Sequence, residues 1–379
     1  MLPTMTRETA TVRLYETDLK EAYDRFVHRM WPGEGSRGER DATEVVAAEA
    51  DTRAPVVLFV KGGEVIGHLA TLPVRLSIAG RTSEAHWVVG LMVVREYRNG
   101  AIAPLLVKKI SETIDIGLTL HVEPAVLRVF EGLKWRHVGV IPQYVRVLNT
   151  REVARVFART GREFLPKGWS WICPAARGGS RALVALGTMF FAGFAAVASL
   201  SGRHRVGATI VQEQGFDSSY VELAERVEGK FSAWVCRDER YLRSRYGRRF
   251  GNYRLLACRE GEQLRGYCLV KLKRFEGDPR MGDIRMGTIV DCVFDPDDPG
   301  ALDSLVSAAV ELCRSEGMDV VFCSASHREM RRYLRRNGFI GMRGTLHVAY
   351  HDRMGGIGAE IPLEVWHVMR GDSDADANC

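Results

Sequence analysis

The chain lacks most of the signatures that would name a function at once. Its eight cysteines (Cys173, Cys236, Cys258, Cys268, Cys292, Cys313, Cys323 and Cys379) form no CxxC pair and have no histidines at zinc spacing. That excludes a zinc ribbon or finger, and no metal site is expected. Several lie in apolar runs and read as reduced thiols, which points to the cytoplasm. No basic segment followed by an apolar core opens the chain, so export by a signal peptide is not expected. Charge of one sign is also scarce. A formal +6 is mild for 379 residues, and the basic runs match no sequence-reading nucleic-acid motif. The most conspicuous turn, at residues 98–101, has no Lys-Ser/Thr after its glycine, which excludes a P-loop. It holds one glycine, Gly100, where a dinucleotide fingerprint needs three.

What is present suits a folded protein with two cores: 46% hydrophobic and 26% charged residues over this length. Residues 88–109 organise the chain. The apolar, β-branched run 88–94 predicts a buried strand. A short turn through Arg98, Asn99 and Gly100 leads into a helical pattern, with Ile102, Leu105, Leu106 and Ile110 on one face. A strand turning sharply into a helix directs backbone N–H groups and the positive end of the helix dipole at one point, a site suited to pyrophosphate.

The order of elements extends this reading. A strand at 11–15 and helices at 19–31 and 43–50 come first. Strands at 55–60, 64–73, 74–78 and 84–94 follow, with hairpin signals at Lys61-Gly62-Gly63 and Ala79-Gly80. After the helix come a strand at 117–122, a helix at 124–132 and a strand at 137–148. The turn itself reads Val93-Val94-Arg95-Glu96-Tyr97-Arg98-Asn99-Gly100-Ala101-Ile102-Ala103. Over residues 1–150 the layout and this loop resemble the Gcn5-related N-acetyltransferases, the GNAT superfamily. Their loop is Arg/Gln-x-x-Gly-x-Gly/Ala after a strand ending Val-x-Pro-x-Tyr-Arg. Arg95 stands in place of the usual Pro, and Ala101 in place of the first motif Gly, which adds a methyl group near the phosphates.

The second half repeats the scheme. A hairpin at 253–259 and 264–272, a central strand at 287–294 and a helix at 301–315 come first. A strand at 319–323 and a helix at 328–337 follow, ending Asn337-Gly338-Phe339. Where a coenzyme loop belongs lies Asp295-Pro296-Asp297-Asp298-Pro299-Gly300. Its prolines remove donors and its carboxylates repel phosphate. The expected fold is therefore α+β with a mixed sheet, in two tandem GNAT-like domains, the second without a coenzyme loop. The division is 1–150, a linker 151–205, a degenerate domain 206–370 and an acidic tail 371–379. Within the linker, the uncharged stretch 182–200 fits a buried interdomain helix, a helix lying in the membrane interface as a peripheral contact, or a span.

The resemblance implies an acyl-CoA co-substrate, acetyl-CoA or a longer homologue. It would be held by Arg98, Asn99, Gly100, Ala101, Ile102 and Ala103, with the thioester carbonyl on a backbone N–H near Leu91, Met92 or Val93. Base candidates are Glu84 and His86 on the central strand and His121 at the end of the next. The usual acid, a tyrosine, is replaced by Phe130, and Tyr144 is a candidate substitute. Arg245 and Tyr246, in the run 237–249, could hold an acidic group of the acceptor. Asp372 and Asp374 could attract its amine. The ending Trp366 to Asp376 resembles tandem-GNAT proteins linked to surface-polysaccharide clusters, which implies an amino sugar of a glycan precursor as acceptor. Two rival readings stay open: a Fem-type transferase using aminoacyl-tRNA, and a non-catalytic coenzyme A-binding sensor or assembly protein.

Overall fold

The computed structural model describes residues 10–30, 54–98, 100–120, 122–160, 208–278, 281–353 and 360–376. The expected helix at 43–50, the apolar stretch 182–200, Asn99 and His121 lie outside them. Among the described residues no helix is long and apolar enough to cross a membrane.

The first half runs β1 (Ala10–Leu14), α1 (Lys20–Met30), β2 (Val57–Lys61), β3 (Glu64–Ile78), β4 (Arg81–Val93), α2 (Ile102–Thr113), β5 (Ile116–Thr119), α3 (Pro124–Gly132), β6 (Arg136–Val147) and α4 (Thr150–Thr160). The β2–β3 turn is the expected two-residue hairpin, with Gly62 and Gly63 at φ of 57° and 79°. The strands expected at 64–73 and 74–78 are one strand of 15 residues. Pro73 does not break it because β3 has a ladder partner on one side only between its pairings to β2, up to Leu69, and to a later strand, from Leu76. Gly67 and His68 point to opposite faces of β3. Ile102 and Leu106 of α2 close on Gly67, while Tyr23 and Phe26 of α1 stack on His68. The two helices therefore cover the two faces, which is why β2 and the middle of β3 are apolar throughout.

The second half runs β7 (Thr209–Glu213), α5 (Ser218–Glu228), β8 (Ala233–Val235), α6 (Glu239–Tyr246), β9 (Tyr253–Glu260), β10 (Gln263–Arg274), β11 (Arg285–Phe294), α7 (Pro299–Ser315), β12 (Val320–Ser324), α8 (Arg328–Arg336), β13 (Ile340–Asp352) and β14 (Trp366–His367). Asn337-Gly338-Phe339 ends α8 with Gly338 at φ 75° and Phe339 N–H donating to Leu334 O, a helix stop that buries Phe339.

All strands among the described residues belong to one sheet, ordered β1-β2-β3-β4-β5-β13-β6-β12-β11-β10-β9-β7, with β8 joining β3 to β14. The two halves exchange their last long strands. β6 pairs with β12 of the second half, β13 pairs with β5 of the first, and the two pair with each other. A cut at residue 150 divides the chain but not the sheet. The C-terminal segment is likewise part of the fold rather than a tail, since Gly371, Asp372, Ser373 and Ala375 are buried. All six cysteines among the described residues are buried and unpaired.

Candidate functional site

β4 lies at the centre of the first half. It pairs in parallel with β5 only at His86↔Gly117 and Trp87↔Leu118, and beyond Trp87 the two strands part. There β4 carries a bulge: His68 of β3 faces Met92 and Ala70 faces Val89, so Leu69 meets two residues, Gly90 and Leu91. Gly90 sits at φ 62°, a conformation that a side chain disfavours. Although the strand is central, Gly90, Leu91 and Met92 remain partly exposed.

The chain then turns. Val94 N–H returns to Ile66 O at 2.9 Å, Arg95–Tyr97 forms one 3-10 turn, and Arg98 Nε donates to Val93 O at 3.0 Å. The N–H groups of Arg98 and Gly100, offered to phosphate by the loop motif, donate to Arg95 O and Tyr97 O within the turn. The head of α2 is different. Ala101 precedes it with no side-chain cap, and the helical ladder begins only with Leu105 N–H donating to Ala101 O at 3.1 Å. Pro104 has no donor, which leaves the N–H groups of Ala101, Ile102 and Ala103 outside the ladder. Beside them Arg95 and Arg98 are exposed.

Glu84 and His86 come together in a cavity of about 150 Å³ between the β3–β4 hairpin and α6, where Arg75, Asp238, Arg240 and Tyr241 also line the wall. The hairpin is tied to the second half there. Arg75 pairs with Asp238 at 3.2 Å, Thr82 Oγ1 donates to Glu228 at 2.8 Å, and β8 pairs with the end of β3. Phe130 is buried edge-on against Trp135, as a core residue. Tyr144 does not reach this region. It lies on the part of β6 exchanged into the second half, opposite Cys323, and its hydroxyl accepts from Arg331 Nε at 3.2 Å. It therefore supplies no acid to the first-half cleft.

No family model matches the chain, and neither does any curated protein. Solved structures do. A GCN5-related N-acetyltransferase from Anabaena variabilis superimposes with a TM-score of 0.58 at 10% identity, over 91% of this chain and 73% of that one. One from Kribbella flavida gives 0.54 at 13% identity, over 92% and 72%. N-myristoyltransferase of Saccharomyces cerevisiae, solved with bound myristoyl-CoA, gives 0.54 at 13%, over 92% and 80%. This chain has the GNAT fold.

The second half shows how the same GNAT cleft looks when it is filled by protein. β11 pairs in parallel with β12 from Met286 to Ile289, then bulges at Val290, where Leu269 faces Asp291 and Val270 faces Ile289. Into the gap beyond runs the C-terminal segment. His367 Nε2 donates to Cys292 O at 2.8 Å, Ser326 N–H donates to Val368 O at 3.0 Å, and Met369 bridges to Ala325. Gly371 packs so closely on Val290 O that a Cβ would lie 2.8 Å from it.

Of the four residues expected to bind substrate, Asp372 lies in this filling and Arg245 and Tyr246 pack against it from α6, which corrects the role of these three. Asp372 is buried and paired with the buried Arg237 at 2.8 Å, and Arg237 also holds Asp291 at 3.0 Å. Tyr246 is buried and donates to Asp291 at 3.1 Å. Arg245 donates to Gly371 O at 2.8 Å, which anchors the segment. Asp374 lies in the same turn and is half-buried. Burial would raise the Asp291 carboxyl, but Arg237 holds it below the usual range. Burial dominates at Asp372 and pushes it up to about 6. A carboxylate closed in by Arg237 cannot attract an external amine. Sequence reasoning missed this network, although a charged Asp291 inside the apolar run 287–294 was a visible signal. It also missed His68, whose partner is the bulge carbonyl.

Proposed function

We propose that the protein is an acyl-CoA-dependent N-acyltransferase in which the first half binds the coenzyme. The observation that carries this reading is the uncapped head of α2 directly after the bulged, partly exposed centre of β4. Free N–H groups there suit a pyrophosphate, and the bulge leaves strand donors for a thioester carbonyl.

In this reading the carbonyl is polarised by backbone N–H groups near Leu91 to Val93, and the acceptor amine attacks it directly. The N–C bond forms as the C–S bond breaks, and the amine's proton leaves to a base. Glu84 and His86 are the base candidates. At about 3.3 Å per residue, His86 is about 16 Å along β4 from Leu91, so the proton would pass through water or through the acceptor itself. The cavity at Arg75, Glu84 and His86 would then hold the far end of a long acceptor. An amino sugar of a nucleotide-linked or lipid-linked glycan precursor is the preferred class, with 182–200 as the contact to a membrane surface in the lipid-linked case. Acetyl and longer acyl groups are both compatible with this site.

Calorimetric titration with free CoA, acetyl-CoA and longer acyl-CoAs tests the reading. Binding that disappears in Gly100→Trp supports it, because a Cβ at Gly100 would meet only Tyr97 O, at 3.4 Å, within the protein. Failure of every thioester to bind sinks it. A second reading, coenzyme binding without turnover, is favoured by the buried Phe130 in place of an acid. Transfer of the acyl group to any amine in a panel would exclude that reading.

A further inference from the structure

His68 is buried on β3, with its ring stacked on Tyr23 (centroids 5.5 Å apart) and close to Phe26 (6.1 Å). Its Nδ1 lies 2.8 Å from Gly90 O, the carbonyl at the bulge of β4. A carbonyl can only accept, so Nδ1 carries the proton and Nε2 bears the lone pair. Nε2 is buried and has no hydrogen-bond partner among the described residues. Retaining a polar ring with one end unsatisfied in an apolar layer is costly and calls for a reason. Burial keeps the ring neutral, its pKa pushed down to about 4, so the Nδ1–H donor is present throughout the physiological range.

The geometry of the peptide unit supplies the reason. Gly90 C=O and Leu91 N–H belong to one planar trans peptide and point in opposite directions. Holding the carbonyl on the His68 ring fixes the Leu91 N–H on the opposite side of its peptide, away from that ring. Gly90 has no side chain to resist this: a Cβ there would lie 3.3 Å from His68 Cε1, at a φ of 62°. The second half has a bulge at the same place, with Leu269 and Val270 on the neighbouring strand where the first half has His68 to Ala70, and its gap holds protein, including His367 on Cys292 O.

We infer that His68 is a positioning residue for the acyl thioester: by fixing Gly90 O it aims the Leu91 N–H at the thioester carbonyl. This rests on the acyl-CoA reading above. The carbonyl stretch of [1-13C]acetyl-CoA bound to the full chain, read by isotope-edited infrared spectroscopy beside calorimetry with free CoA, tests it. In the wild type the band moves to lower frequency than in solution. His68→Leu should return it to the solution position while free CoA affinity stays within about threefold. His68→Asn, which can still donate to Gly90 O, should restore much of the shift. Gly90→Ala approaches the clamp from the other side and should reduce the shift with His68 in place, so the test survives if His68→Leu does not fold. A wild-type band position in both His68→Leu and Gly90→Ala overturns the inference and leaves the coenzyme site standing. Absence of CoA binding by the wild type overturns both.

Discussion

The heads of α2 and α7 occupy the same place in the two halves and have opposite characters. Ala101 leaves α2 uncapped, and the strand before it stays partly exposed from Gly90 to Met92. At α7, Asp298 accepts from Ala301 N–H as a cap, Pro299 removes a donor, and Lys230 neutralises Asp295 and Asp297 at 2.6 and 2.8 Å. Every residue of β11 from Met286 to Phe294 is buried. A splayed strand pair exposes unpaired backbone, which must be satisfied by something. Among the described residues, the second half satisfies it with residues 366–372, and in the function proposed above the first half leaves it to the acyl-CoA. On that proposal one scaffold serves as a binding site or as a structural core.

Acid should strain this arrangement most. Burial pushes His68 and His327 down to about 4 and His367 down to about 3. These histidines bind protons near pH 6.5 when unfolded but not when folded, so stability falls as pH drops from about 6.5 toward 4 and is insensitive to them above 7. Each could remove roughly 3 kcal/mol over that window. Two of the three adjoin the C-terminal filling, so amide exchange at 366–376 should rise before exchange in β2 and β3. Simultaneous loss of both would show that the halves are not separately vulnerable.

Arg237→Met comes next. It leaves Asp291 and Asp372 buried without their cation and should cost about 3–5 kcal/mol in urea unfolding. A cost below about 1 kcal/mol would mean the buried ion network does not hold the segment in place. Gly100→Trp should weaken CoA binding at least about 100-fold, or 2.7 kcal/mol, with no change in melting temperature. Parallel losses of affinity and stability would place Gly100 in the core instead. Asp298→Ala removes the α7 cap and should cost about 1 kcal/mol. Calorimetric stoichiometry should stay at one coenzyme per chain, since the filling remains; two sites would show that the cap alone distinguishes the halves. The smallest effect is expected from Ala101→Gly, which takes a methyl group from the α2 loop and should tighten CoA binding by about twofold to threefold, roughly 0.5 kcal/mol. No gain would show that Ala101 does not face the phosphates.

Much of the frame was legible in the sequence because it depends on local signals. Lys61-Gly62-Gly63 and Ala79-Gly80 are turns at the expected places, Gly338-Phe339 ends its helix as expected, and the Asp-Pro run at 295–300 cannot accept phosphate in either description. The site was only partly legible. Glu84 and His86, read as alternative bases, line one cavity. Arg245 and Tyr246 were read as holding an acidic group and Asp372 as attracting an amine, whereas all three join the packing of the C-terminal segment. Charged and aromatic residues look alike in a sequence whether they face water or one another, and only burial separates the cases.

The sequence by itself determined most strands and helices of the first half, the hairpins at 61–63 and 79–80, and the contrast between an uncapped helix head and one preceded by Asp-Pro residues, because each follows from residues within a few positions of one another. Tertiary structure alone decided the exchange of β6 and β13, the filling of the second cleft by residues 366–372, and the contact of His68 with Gly90 O. These bring together positions from about 20 to more than 200 apart, and no periodicity or spacing carries information about a partner on another strand.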